Sequence, residues 1–249
     1  MHDPGLAALL LNREMVLAAL ATALAGVMRG YAGFGTAITL APIYSMLWSP
    51  REGVPIMLAM EALIAGSLVP GVWRLWTRRV TLPMAATACS LLPFGAYALV
   101  AVEGQTLRRV IGGLVLGFAV LLASGWRYHG RRPLWLNLVV GAVSGIMKGA
   151  TGMSGPPVIL YLLSGPEAAR QHRANLIVFF GMVSLVAMLP VFWYGLAGIA
   201  VLVRVAALLP VLLLTVRVGV SLFGRLPERW FRATAYVFLF AVGLMAVAG

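Results

Sequence analysis

The sequence predicts an all-α polytopic membrane protein built from two inverted structural repeats, each a re-entrant or broken helix pair followed by three transmembrane helices. Three observations predict it. The 249-residue chain is 61% hydrophobic and only 10% charged, against about 25% charged in a soluble domain. Its apolar residues are gathered into blocks close to the ~20-residue length that crosses a hydrocarbon layer. Two of these blocks are overlong, and Gly-rich stretches carrying a cation interrupt them at matching places.

The blocks run 14–48, 53–73, 82–101, 106–126, 134–164, 174–194, 205–224 and 229–248. As one helix the first would be roughly 50 Å long, well beyond a hydrocarbon core of about 30 Å. Its interruption reads Met28-Arg29-Gly30-Tyr31-Ala32-Gly33-Phe34-Gly35-Thr36. Block 134–164 is interrupted by Met147-Lys148-Gly149-Ala150-Thr151-Gly152-Met153-Ser154-Gly155-Pro156-Pro157. One fixed offset carries Met28 onto Met147, Arg29 onto Lys148, Gly30 onto Gly149 and Gly33 onto Gly152. Further along, Val69-Pro70-Gly71-Val72-Trp73 is similar to Leu189-Pro190-Val191-Phe192-Trp193, and Phe118-Ala119-Val120 matches Phe240-Ala241-Val242. The chain therefore divides into a first membrane repeat at 1–126, a polar linker at 127–133 and a second repeat at 134–249, together forming one integral membrane domain.

The net charge of +12 does not indicate nucleic acid. The basic residues sit singly or in pairs between apolar blocks, with no stripe of Lys and Arg interleaved with aromatics. They do discriminate between topologies. If the two interrupted blocks cross the membrane fully, the loop arginines split almost evenly between the faces. If each instead dips in and returns, one face holds only Arg13, Arg51, Arg108, Arg109 and Arg204. The other holds the rest, from Arg74, Arg78 and Arg79 to Arg229 and Arg232. That bias is the cytoplasmic signature, and it places the linker inside and both termini outside. Each half then makes an odd number of crossings, which inverts the second half relative to the first. Inverted repeats with interrupted helices are a common plan of secondary transporters.

Arg29 and Lys148 carry the strongest functional signal. A cation at bilayer depth costs at least about 2.5–3.5 kcal/mol, so it faces a cavity or a partner. Gly30, Gly33 and Gly35 in one break, and Gly149, Gly152 and Gly155 in the other, permit unwinding and close backbone approach. A helix restarting after each break aims its free N–H groups at the same region. Thr36, Thr151 and Ser154 supply hydroxyls. Together these residues predict one positive pocket near the midplane, suited to a small anion. The competing explanation is that the cations snorkel to an interface and the glycines serve only helix packing.

Glu61 is the one acid within a full span, in block 53–73. It is a candidate for carrying a coupling proton, for neutralising Arg29, or for a purely structural ion pair. The matching position in the second half is read as Gly181, so the role is not duplicated. Gly152-Met153-Ser154-Gly155 fits the G-x-S-G pattern of rhomboid-type intramembrane proteases. Such a serine needs a membrane-depth histidine, and His2, His129 and His172 all fall in polar segments outside the blocks. Pro70, Pro93, Pro190 and Pro210 read as helix kinks. Trp73, Trp76, Trp126, Trp135, Trp193 and Trp230 read as an interfacial belt. Cys89, the sole cysteine, permits neither an intrachain disulfide nor a zinc site, and reads as a small core residue. The first apolar run lacks a small-residue cleavage site and passes straight into Arg29-Gly30, so it reads as a membrane block rather than a leader.

The duplicated layout and paired Gly-rich openings resemble the sulfite exporter TauE/SafE-like family of bacterial permeases. The resemblance rests on Gly30-Tyr31-Ala32-Gly33-Phe34-Gly35-Thr36 followed by Pro42, on Lys148 through Pro157, and on Arg225-Leu226-Pro227-Glu228-Arg229 before the last block. It covers nearly the whole chain. It departs at Thr36-Ala37, where the family often continues with glycines. The resemblance implies a multi-pass protein of the bacterial inner membrane that exports sulfite, an organosulfonate or a related sulfur oxyanion.

The expected function is therefore secondary transport of a small anion, with protons or sodium as candidate coupling ions and homo-oligomerisation left open. The alternatives are an uncoupled anion channel and an intramembrane enzyme, the latter disfavoured for want of a buried acid–base pair. No cofactor or metal cluster is expected. P-loop and G-x-G-x-x-G patterns are missing, which argues against an ATP-driven pump within this chain.

Overall fold

The computed structural model describes residues 12–123, 128, 132–163, 165 and 167–225. Among them are nine helices and no strand: α1 (Arg13–Ala32), α2 (Thr36–Leu47), α3 (Pro50–Val72), α4 (Arg78–Ala101), α5 (Gly104–Ala123), α6 (Leu134–Thr151), α7 (Gly155–Leu163), α8 (Ala169–Trp193) and α9 (Ile199–Arg225). Six of these (α1, α3, α4, α6, α8 and α9) are long and apolar enough to cross a membrane. The all-α polytopic class follows directly. The block at 229–248, most of the linker at 127–133, and His2, His129, Trp126 and Trp230 lie outside the described residues.

Local chemistry sets the helix boundaries. The side chain of Asn12 caps α1 by accepting from the Met15 N–H at 2.8 Å. Ser49 caps α3 through the Glu52 N–H at 3.2 Å, and Pro50 takes the first helical position, where its missing N–H costs nothing. The two breaks are built alike. α1 ends where Gly33 adopts φ 81° and donates its N–H to the Arg29 carbonyl at 3.0 Å. α6 ends where Gly152 adopts φ 75° and donates to the Lys148 carbonyl at 2.9 Å. That left-handed closure is strained for any residue with a Cβ, which explains a glycine at both places.

After each break the chain turns back instead of continuing across. Thr22 in α1 and Tyr44 in α2 share a hydrogen bond of 2.6 Å, so α2 returns alongside α1. In the second half, Tyr161 near the end of α7 donates to Asn137 near the start of α6 at 2.6 Å. Both interrupted blocks are therefore hairpins with unequal arms, 20 and 12 residues in the first and 18 and 9 in the second. At 1.5 Å per residue each long arm spans roughly 27–30 Å. The dip expected from the sequence is thus a near-full-length helix followed by a short return.

The halves pack reciprocally. α6 lies along α4 in the same direction, with Gly141, Gly145 and Gly149 set against the backbones of Met84, Ala88 and Leu92. α1 lies along α9 in the same way, Gly26 against Leu212 and Thr215, and Gly30 against Val216 and Gly219. Small residues at these seams let backbones touch, which is how helices associate where lipid supplies no hydrophobic drive. At the centre, α3 and α8 run antiparallel, with Glu61 beside Ser184, Val69 and Ala65 beside Gly181, and Thr77 bonded to Asn175. The offset relating Arg29 to Lys148 also relates the first residues of α2 and α7 (Thr36 and Gly155) and of α3 and α8 (Pro50 and Ala169).

Two expectations about polar residues are corrected. His172 and Arg173, read from sequence as lying in a polar segment, are buried near the start of α8, because that helix begins at Ala169 and packs against the tip of the first hairpin. Arg204 is likewise buried, paired with Glu52 and stacked 4.4 Å over the Trp48 ring. Among the belt tryptophans, Trp73, Trp135 and Trp193 are exposed as expected, while Trp76 is buried against Trp73.

Candidate functional site

The sequence places a cation one turn before each helix break, and the fold buries both completely. Arg29 and Lys148 each have 0% exposure. Each occupies the last turn of its long arm, held there by the Gly33 or Gly152 closure that accepts no other residue without strain. Their surroundings differ. Lys148 forms an ion pair with Glu61, which projects from the middle of α3 and is itself only 1% exposed. Thr36, the first residue of α2, donates to the other Glu61 oxygen, and Ser184 of α8 donates at 2.9 Å. The carboxylate thus accepts from three elements at once and sits at the N-terminus of α2, where the helix dipole favours an anion.

Arg29 has no carboxylate partner among the described residues. Its Nη1 donates to the Gly33 carbonyl at 2.9 Å, and the Phe180 ring lies 5.3 Å from its guanidinium carbon. Its Nε and Nη2 are buried and find no acceptor among the described residues. The Glu61 charge acts on Arg29 as well as on Lys148, so the three groups form one electrostatic cluster. Arg173 donates its Nε and Nη2 to the Gly30 carbonyl at the tip of α1 at 3.1 and 2.6 Å, with Nε also 3.1 Å from the Tyr31 carbonyl. It neutralises the negative end of α1.

The remaining expected site residues divide three ways. Gly30 and Gly149 face neighbouring helix backbones across the seams described above, so their role here is packing. Gly35, at φ 117°, precedes α2, and Gly155 begins α7, so these two open the returning helices. Of the hydroxyls, Thr36 binds Glu61. Thr151 is used locally, donating to the Met147 carbonyl at 2.8 Å and accepting from the Met153 N–H at 3.3 Å. Ser154 is fully buried and its Oγ has no partner among the described residues. Among the described residues no histidine is bonded to it.

Ser184, Phe180 and Arg173 were not singled out by sequence reasoning. Ser184 had a weak signal, as a polar residue within a strongly apolar helix. The pairing of Glu61 with Lys148, where Arg29 was one candidate partner, needed the antiparallel crossing of α3 and α8 to be visible. A cavity of about 540 Å³ opens between α2 and α5, lined by Ser45, Gln105, Arg108 and Arg109 with apolar neighbours. It gives a basic mouth on the face where α2 ends. No group of three or more metal-ligating side chains occurs among the described residues.

The family model described as Sulfite exporter TauE/SafE matches residues 18–246 of the chain. No curated protein and no solved structure matched it.

Proposed function

Because this chain belongs to the sulfite exporter TauE/SafE family, and membership implies a membrane transporter of sulfur compounds, we propose that it is a secondary transporter that exports a small sulfur oxyanion across the bacterial inner membrane. The favoured substrates are sulfite and small organosulfonates, bound between the two helix breaks. The observation that carries this reading is the pair of fully buried cations, Arg29 and Lys148, at equivalent breaks of two reciprocally packed halves. Burying two cations is costly, and a structural role would be served by one compensated pair. An anion passing through the site offsets that cost.

The inverted relation of the halves is supported by the antiparallel α3–α8 crossing and the shared offset of the helix starts. In this reading Arg29, Gly33, Gly35, Thr36, Lys148, Thr151, Gly152, Ser154 and Gly155 form or shape the site, while Gly30 and Gly149 seat the helices that carry the two cations. Glu61 is the proton-coupling group, since among the described residues it is the acid bonded to a substrate-site cation. Alternating access then amounts to rocking one half against the other across the antiparallel centre. Both termini face the outside under the charge rule.

Isothermal calorimetry on detergent-purified protein tests the anion site. Sulfite or a taurine-like sulfonate should bind saturably and acetate weakly, with binding lost in Arg29→Gln. Folded wild-type protein that takes up no sulfur oxyanion would remove the sulfur reading.

A further inference from the structure

The two cations are equivalent by position but not by partner. The offset that carries Arg29 onto Lys148 carries Glu61 onto Phe180, one residue from the Gly181 expected from sequence. It likewise relates Thr36 to Gly155 and Ser184 to Ala65. The carboxylate and both hydroxyls that surround Lys148 therefore correspond, around Arg29, to an aromatic ring, a glycine and an alanine. The contacts bear this out at the one position where both are seen: Lys148 pairs with Glu61, and Arg29 stands against Phe180. One half thus carries its own tethered anion. The other carries the cation and lacks the anion.

The unused donors of Arg29 have a definite geometry. Nε and Nη2 lie on the same edge of the guanidinium plane and point the same way. That edge grips two oxygens of a single oxyanion side-on. Nη1, on the opposite edge, is already committed to the Gly33 carbonyl, which fixes the plane. The Phe180 ring, 5.3 Å from the guanidinium carbon, offers no hydrogen-bonding oxygen or nitrogen. Ser154, buried and unpartnered, immediately precedes α7, the helix equivalent to the one whose N-terminus Glu61 occupies.

We propose that the substrate's oxyanion group takes, at Arg29, the place that the Glu61 carboxylate takes at Lys148, and that the site is built for a single negative charge. The inference rests on the anion-transport reading and adds the anchor and the charge class. Arg29, Lys148 and Glu61 together carry one net positive charge; Arg173 keeps its own, which faces the Gly30 and Tyr31 carbonyls at the negative end of α1 and the Phe223 ring. A monoanion with at least two oxygens on one centre, such as a sulfonate or hydrogensulfite, balances the cluster. A dianion leaves one buried negative charge unmatched, which the low-dielectric interior penalises heavily.

Methanesulfonate and sulfate separate these cases, since both present oxygens on tetrahedral sulfur and differ in charge. Binding is read by calorimetry on purified wild type, Arg29→Lys, Glu61→Gln and Phe180→Glu, each checked for a cooperative melt. The wild type should bind methanesulfonate at least tenfold more tightly than sulfate. Arg29→Lys keeps the charge but loses the fork, and should weaken methanesulfonate at least tenfold. Glu61→Gln frees Lys148 and should bring sulfate binding up to that of methanesulfonate. Phe180→Glu supplies Arg29 with its own carboxylate and should abolish binding. Equal or tighter sulfate binding by wild type overturns the charge assignment, as does unchanged methanesulfonate binding in Arg29→Lys. Binding of neither anion by folded wild type overturns the anion-transport reading itself.

Discussion

At the scale of the residue, the protein concentrates its charge chemistry on three side chains, and the Lys148–Glu61 pair sets two expectations. Removing one member of a buried ion pair leaves the other uncompensated, which costs about 3–5 kcal/mol. Lys148→Met should therefore lower the melting temperature sharply in detergent. The double variant Lys148→Met with Glu61→Gln should recover most of the loss, and additive destabilisation would show that the two do not interact. Glu61→Gln also removes the candidate proton carrier. Its transport rate should lose the pH dependence of the wild type between pH 5 and 8, measured as flux of methanesulfonate, which stays a monoanion over that range, in proteoliposomes. A retained profile would assign proton coupling elsewhere. The cations themselves were legible in the sequence, because a charge inside an apolar block is conspicuous. The division of labour between them was not. Hydrophobic patterning locates Glu61 in block 53–73 but says nothing of which cation it meets.

At the scale of the element, the helix breaks were legible because glycine has a definite physical meaning. Gly33 and Gly152 adopt the left-handed conformation at corresponding positions, at φ 81° and 75°. Gly33→Ala should cost roughly 1–2 kcal/mol from the backbone conformation alone. Gly145 is a different case. It lies in ordinary helix, but a Cβ there would strike the Ala88 backbone. Gly145→Leu should therefore separate α6 from α4 and abolish a cooperative melt. Gly66→Ala, with nothing within 4 Å, is the matched control and should leave the melt unchanged or raise it. The seam glycines were read from sequence as lining the anion site. The structure gives Gly30 and Gly149 to helix packing, a distinction that one sequence does not encode, since both uses need the same missing side chain. The burial of His172 and Arg173 escaped notice for a related reason: helix α8 starts in polar sequence, and only its packing against the α1 tip takes these residues from water.

At the scale of the whole molecule, α1 packs on α9 and α6 on α4, about an antiparallel α3–α8 centre, the arrangement on which the proposed duplication rests. The hairpin topology explains why the loop arginines become biased once the interrupted blocks are allowed to return. It also makes a labelling prediction. In a Cys89→Ser background, Arg79→Cys and Arg170→Cys, both exposed, should react with an impermeant thiol reagent only from the cytoplasmic face. Labelling of the two from opposite faces would reject the hairpins as the source of the charge bias. The fold class needed only composition and block length. The pairing of helices needed long-range contacts that no block boundary reveals.

The most direct test of transport by this architecture is flux of radiolabelled sulfite in proteoliposomes containing purified wild type or Arg29→Gln. The account predicts saturable wild-type flux, competed by a small sulfonate and lost in Arg29→Gln. Wild-type flux no faster than that of protein-free vesicles, or undiminished flux in Arg29→Gln, would contradict it.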